Sequence, residues 1–229
     1  MPAPLQGIKA CVFDAYGTLF DVHTPVLQAL AALGDDKVQS FAAGWRDKQL
    51  QYTWLRSLMG VHADFWQVTA DALDHTMQLF GLDDRDLHRR LMELYLSLPS
   101  FEDAAASLAE LQRRGLRLAI LSNGSPAMLD AAVRSAGFAG FFERVMSVEE
   151  VGIFKPSRRV YRHAQQVLKL ASPQDVCFVS ANSWDAKAAA SFGFQVVWIN
   201  RSGRPADCIP GAPAAELETL ADVARHIAG

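Results

Sequence analysis

The stretch Ile8-Lys9-Ala10-Cys11-Val12-Phe13-Asp14-Ala15-Tyr16-Gly17-Thr18 is an apolar run that ends in a carboxylate and a glycine turn. The run has the length and residue types of a buried strand. Asp14 closes it, where a side chain is held by backbone and can be approached closely because Gly17 has no side chain. That is a position for a nucleophile, with the Thr18 hydroxyl and nearby amides placed to donate to it. The same pentapeptide also suits an aspartate that caps a turn or the following helix, so the decision between the two rests on the rest of the chain.

Downstream, residues 24–98 read as helical with no convincing strand. The best helix covers 40–59, where Phe41, Trp45, Tyr52, Leu55 and Met59 recur at helical spacing as a core stripe, with Arg46 and Leu50 on a neighbouring face. A second, 63–80, carries Phe65, Trp66, Val68, Ala72, Leu73 and Leu79. From there strands and helices alternate. A helix at 102–111 is stopped by Gly115, and strands follow near 116–121, 145–146, 176–179 and 195–199. Helices read at 126–136, 156–169 and 184–192 lie between or after them, a loop covers 205–215, and an amphipathic helix near 216–227 ends the chain. This alternation, with near-continuous apolar strands, predicts an α/β fold. The expected form is a Rossmann-like parallel sheet with helices on both faces, its core formed by 1–20 and 99–229. A helical cap domain, 21–98, is inserted.

Composition narrows the function. Of 229 residues half are hydrophobic and 21% charged, with a net charge of -3 and a pI near 6.1. That is ordinary globular composition, with no basic stripe for nucleic acid and no polybasic anchor for a membrane. The apolar stretches are too short to span a bilayer, and residues 1–7 lack the pattern of a signal peptide, so a cytoplasmic protein is expected. Cys11, Cys177 and Cys208 show no CxxC spacing, and the six histidines lack metal-ligand spacing. No disulfide framework, zinc site or cofactor is expected. Cys11 and Cys177 read as core residues, and among the histidines only His23 stands near the Asp14 turn.

Three further polar clusters fall at the carboxyl ends of the expected strands, where open parallel sheets place their ligands. They are Ser122-Asn123-Gly124-Ser125, Lys155-Pro156, and Ser180-Ala181-Asn182-Ser183-Trp184-Asp185. Lys155 also fits a surface lysine at a helix start, and Asp185 a helix-start carboxylate. A cation at a helix N-terminus opposes the dipole, however, and makes most sense beside a carboxylate, for which Asp14 and Asp185 are candidates.

Taken in order, these four clusters resemble the motifs of the haloacid dehalogenase superfamily over essentially the whole chain. The segment Trp45-Arg46-Asp47-Lys48-Gln49-Leu50-Gln51-Tyr52-Thr53-Trp54-Leu55-Arg56, with the Asp-Ala-Tyr-Gly-Thr form of the first motif, is similar to the (S)-2-haloacid dehalogenases within it. Phosphatases of the superfamily carry a second aspartate two residues after the nucleophile and an acid in the fourth motif. Tyr16 and Ala181 stand there instead, so the acids of a magnesium site are missing. A magnesium-dependent phosphatase and a non-catalytic binding protein on the same scaffold are the competing readings.

The resemblance implies that Asp14 displaces halide from a small haloacid and that water then hydrolyses the ester. Lys155, held by Asp185, compensates the charge of Asp14. Thr18 bonds Asp14, Ser180 and Asn182 position Lys155, Asp14 or the water, and Tyr161 orients the charged network. Arg46 and Asn123 are implied to receive the halide, and Ser122 the substrate carboxylate. Tyr16, Leu50, Phe65 and Trp184 form the apolar wall, although aromatic residues at helical spacing also serve as ordinary core. Asp47, beside Arg46, departs from the family pattern and is expected to alter halide binding or substrate preference. The resemblance and the apolar cap helices further imply a homodimer.

Overall fold

A computed structural model describes residues 4–31 and 34–228; the extreme N-terminal residues of the segment read for a signal peptide lie outside them. Its centre is a six-stranded sheet in the order β3-β2-β1-β4-β5-β6, built from β1 (Ala10–Phe13), β2 (Arg117–Ser122), β3 (Arg144–Ser147), β4 (Val176–Ser180), β5 (Gln195–Ile199) and β6 (Ala215–Leu217). Every neighbouring pair is parallel. β1 and β4 are buried along their whole length, as strands covered on both faces must be. The chain starts at the middle of the sheet, goes to one edge through β2 and β3, and returns to build the other from β4. The order therefore reverses between β1 and β4, and this is where such sheets open a crevice.

Between β1 and β2 run α1 (Thr24–Ala29), α2 (Asp35–Met59), α3 (Phe65–Leu79) and α4 (Arg85–Leu94). Two chain crossings join these helices to the sheet, and they are tied to each other: Phe20 bridges Ser100, the Asp21 amide donates to Pro99 O at 2.9 Å, and the Phe101 amide to Leu19 O at 3.0 Å. α3 and α4 begin on Asp64 and Asp84, whose carboxylates accept the amides of Gln67 and Leu87. The remaining helices are α5 (Ala104–Arg113), α6 (Pro126–Ser135), α7 (Arg158–Val167) and α8 (Ser183–Phe192).

Three expectations are corrected. The final amphipathic helix is instead the short strand β6 and a 3-10 turn, Leu220–His226. The exposed edge of β5 offers backbone groups that Ala215–Leu217 satisfies, and Thr219 then caps the turn. The core stripe of α2 is buried only in its first half. Phe41 and Trp45 are buried, but Leu55 is 43% and Met59 71% exposed. A helix of 25 residues runs about 37 Å, beyond what the shorter α3 covers. Lys155 does not open a helix, because α7 starts at Arg158 with Ser157 as its cap.

Candidate active site

Four segments meet at the carboxyl ends of β1, β2 and β4. The Asp14 amide donates to Val179 O at 2.9 Å, which continues the β1–β4 ladder one residue and fixes the carboxylate over the crevice. Its two oxygens have different partners. Oδ2 accepts from Thr18 Oγ1 at 3.0 Å and Asn182 Nδ2 at 2.8 Å; Oδ1 accepts from Lys155 Nζ at 3.1 Å. Thr18 Oγ1 in turn accepts the Ala181 amide at 2.8 Å, so the first and fourth motifs are locked together. Asn182 is the N-cap residue of α8, yet its side chain makes no cap and is diverted to Asp14 and Tyr16 O.

Lys155 is 1% exposed and bridges two carboxylates, reaching Asp185 Oδ2 at 2.8 Å. Its ammonium lies 5.1 Å from the centre of the Phe178 ring. Burial alone pulls the lysine pKa down, but Asp14 and Asp185 more than reverse this, so it is held above the usual lysine value. Asp185 receives Tyr161 OH on Oδ1 at 2.7 Å and Ser180 Oγ on Oδ2 at 3.3 Å. Burial pushes its carboxyl up while Lys155 opposes that, and both oxygens act as acceptors, the pattern of a carboxylate. The Tyr161 phenol is driven up by burial and then by Asp185, so it stays a neutral donor. An ammonium thus fills the space between Asp14 and Asp185 that a divalent cation would need, and among the described residues no three His, Cys, Asp or Glu side chains are grouped as metal ligands.

Above the carboxylate lies a cavity of about 10 Å³ lined by Asp14, Tyr16, Arg46, Leu50, Phe65, Ser122, Asn123, Lys155, Asn182 and Trp184. All seven residues named from sequence as substrate contacts therefore converge on one space. That space is about one water in size. Ser122 Oγ accepts the Gly124 amide at 3.1 Å, which leaves the hydroxyl proton for a ligand. Asn123 Oδ1 accepts the Lys155 amide at 3.0 Å, which fixes the amide group and leaves its NH2 as the donor. Tyr16 stacks on Phe65 at 5.9 Å, with its hydroxyl buried and without a protein partner among the described residues. Burial drives this phenol up as well, so its hydroxyl keeps its proton.

Other named residues act through these or lie elsewhere. Thr18, Ser180, Asp185 and Tyr161 do not line the cavity but hold Asp14 and Lys155. Asp47 is exposed and lines a separate outer groove of about 400 Å³ with Lys48, Gln51, Trp54 and His75. Its expected influence on halide binding is thus not exerted from the cavity wall. His23 borders a cavity of about 40 Å³ that shares Arg46 with the site.

Sequence reasoning missed a hydrogen-bonded chain behind Arg46. Arg46 Nη1 donates to Gln49 Oε1 at 2.6 Å, Gln49 Nε2 to Thr69 Oγ1 at 2.7 Å, and Thr69 Oγ1 to Phe65 O at 2.6 Å. Gln49 and Thr69 are wholly buried. The available signal was a glutamine one turn from Arg46 and beside the apolar stripe residue Trp45. Tyr95, packed 5.9 Å from Tyr16 and 5.5 Å from Trp45, was also missed, because only tertiary packing brings it there.

Residues 8–193 match the family model of haloacid dehalogenase-like hydrolases. The chain is 46% identical over 214 residues to an (S)-2-haloacid dehalogenase of Pseudomonas sp. (strain YL), covering 93% of this chain and 91% of that one. It is 42% identical over 220 residues to (S)-2-haloacid dehalogenase 1 of Pseudomonas sp. (strain CBS-3), covering 96% of each. Among solved structures, the L-2-haloacid dehalogenase of Xanthobacter autotrophicus with covalently bound chloropropionic acid superposes with a TM-score of 0.86 at 38% identity, over 95% of this chain and 97% of that one.

Proposed function

Because the chain belongs to the haloacid dehalogenase-like hydrolase family, we propose that it is a hydrolase of carbon–halide bonds that converts short (S)-2-haloalkanoic acids to (R)-2-hydroxy acids and halide. The observation that carries this reading is the position of Asp14, ringed by Thr18, Asn182 and Lys155 and facing a cavity whose polar donors are Arg46, Ser122 and Asn123.

The steps follow from that placement. Oδ2 already accepts two donors, whereas Oδ1 has only Lys155 among the described residues, so Oδ1 is the freer nucleophile. It attacks C2 of the acid in line with the carbon–halide bond. That bond breaks, the halide leaves with its electron pair, and C2 is inverted in an ester with Asp14. Negative charge appears on the departing halide, where Arg46 and the Asn123 amide are placed to receive it. Ser122 takes the substrate carboxylate, and Tyr16, Leu50, Phe65 and Trp184 surround the alkyl group. Water then adds to Cγ of Asp14, the bond from Cγ to the ester oxygen breaks, and the hydroxy acid departs with an oxygen that began on Asp14. One proton of the water goes to the product oxygen and the other to solvent as the Asp14 carboxylate reforms.

Two charges of each sign, on Asp14, Asp185, Lys155 and Arg46, give a balanced frame into which one anionic substrate enters. Residues 21–98 act as a cap that parts from the sheet to admit it, since the present cavity is too small. We include a homodimer and a cytoplasmic location in this reading. Exposed Leu55, Leu58, Met59 and Leu79 on α2 and α3 support the first, and the free cysteines Cys11, Cys177 and Cys208 are consistent with the second.

The direct test is chloride release from racemic 2-chloropropionate with analysis of product chirality. Consumption of the (S) acid to give (R)-lactate is expected; no chloride above background would end the proposal. Under single-turnover conditions in oxygen-18 water the product hydroxyl should carry ordinary oxygen, and label in that hydroxyl would mean that water attacks C2 directly.

A further inference from the structure

We propose that Gly124 sets the width of the substrate cavity by leaving room for the Tyr16 ring, and so determines which chain lengths are accepted; the inference rests on the dehalogenase reading above. A β-carbon built on Gly124 would stand 2.6 Å from Tyr16 Cε2, 2.9 Å from its hydroxyl and 3.1 Å from Leu129 Cδ2. Side chains do not approach so closely, and something must move. The backbone of Gly124 is outside the left-handed region, so space rather than conformation makes glycine necessary here.

The loop cannot easily give way. The Gly124 amide donates to Ser122 Oγ at 3.1 Å and its carbonyl accepts Ser147 Oγ at 2.7 Å, tying it to the ends of β2 and β3. The Tyr16 main chain is also held, through Asn182 Nδ2 on its carbonyl at 3.2 Å. What remains is the Tyr16 ring. Phe65, Tyr95 and Phe20 surround it at centroid distances of 5.9, 5.9 and 6.5 Å, and all three are buried. The open space beside the ring is the cavity over Asp14, of which Tyr16 is already a wall. A methyl group at position 124 therefore turns the ring toward the carbon chain of the substrate. Ser122 and Asn123, on the same loop, keep their bonds to Gly124 and Lys155 backbone amides and continue to serve the carboxylate and the halide.

The experiment compares wild type with Gly124→Ala on chloroacetate, 2-chloropropionate and 2-chlorobutyrate, alongside crystal structures of both. In the variant, kcat/KM for 2-chlorobutyrate relative to chloroacetate should fall about tenfold or more, the usual discrimination for one displaced methylene. The structure should show the Tyr16 ring displaced into the cavity. Tyr16→Leu should shift the ratio the opposite way, and adding Gly124→Ala to it should change the ratio by less than about twofold, because the methyl then meets only the flexible end of Leu129, 3.1 Å away and outside the cavity lining. An active Gly124→Ala enzyme with the wild-type chain-length ratio, or an equal effect in the Tyr16→Leu background, would overturn the proposal. If Gly124→Ala does not fold, adding Tyr16→Leu should restore folding by removing the ring that the methyl strikes, and a double variant that also fails to fold would overturn the proposal. If wild type releases no halide from any of the acids, the dehalogenase reading fails, and an unmoved Tyr16 ring in the Gly124→Ala crystal separately refutes the steric argument.

Discussion

Replacing Lys155 by methionine keeps an unbranched side chain one atom shorter and removes the charge from between Asp14 and Asp185. The wild-type ammonium is 1% exposed and makes two charge-assisted hydrogen bonds, at 3.1 and 2.8 Å. The variant leaves two buried carboxylates facing each other with no cation, and breaking a buried pair in this way costs about 3–5 kcal/mol. For a chain of this size each kcal/mol moves the melting temperature by about 2–4 °C, so the transition should drop by about 6–20 °C at pH 8.

Acid should partly repair the damage. Asp185 has its pKa raised by burial even with Lys155 present, and without the ammonium it rises further. A carboxyl whose folded value lies above its unfolded value gives stability that is present at low pH and lost as pH climbs through the folded value. The gap between variant and wild type should therefore narrow from pH 8 toward pH 5, as followed by circular dichroism melts at both. A double variant, Lys155→Met with Asp185→Leu, should melt above the single one, since it buries one carboxylate fewer. A single variant melting within about 2 °C of wild type at pH 8, or a gap that widens on acidification, would show that Lys155 does not offset these charges.

Other outcomes are expected. Gln49→Leu removes the anchor of Arg46 and should lower kcat for 2-chloropropionate about tenfold, with Gln49→Glu recovering most of it; an unchanged kcat would mean that Arg46 needs no support. Tyr161→Phe deletes a hydrogen bond to a buried carboxylate and should destabilise by about 1.5–3 kcal/mol in urea unfolding. Because the folded pKa of Lys155 is raised, its contribution to stability is complete below the ordinary lysine value and fades only as pH climbs through the folded one. Stability and chloride release lost well below the ordinary lysine range would contradict that. EDTA should leave chloride release unchanged, and restoration of a lost activity by magnesium would refute the role assigned to Lys155.

The sheet was legible because its strands are short apolar runs closed by small polar residues. Phe13-Asp14, Leu121-Ser122 and Val179-Ser180 mark the same end of three adjacent strands, so a site could be placed before any contact was known. What escaped depends on distances that periodicity does not carry. Gln49 reads as one more polar residue on a long helix until Thr69 is placed against it, and Gly124 reads as turn chemistry until the Tyr16 ring arrives beside it. The last segment misled for a physical reason: its amphipathic spacing is real, but a free edge on β5 offers more than an isolated short helix does. Asp47 lies apart from the cavity because adjacency to Arg46 along a helix turns its side chain onto another face.

The tightness of the cavity over Asp14, about one water in size before the cap parts, also governs what else can reach the Asp14 ester of the proposed reaction. Cells and buffers hold amines and thiols that attack esters, and each would release the hydroxy acid but leave Asp14 as an amide or thioester in place of its carboxylate. With aromatic rings and the reactant itself filling the chamber, bulky nucleophiles of that kind are shut out by size alone. Crowding thus favours water in the second half-reaction of the proposed mechanism by size.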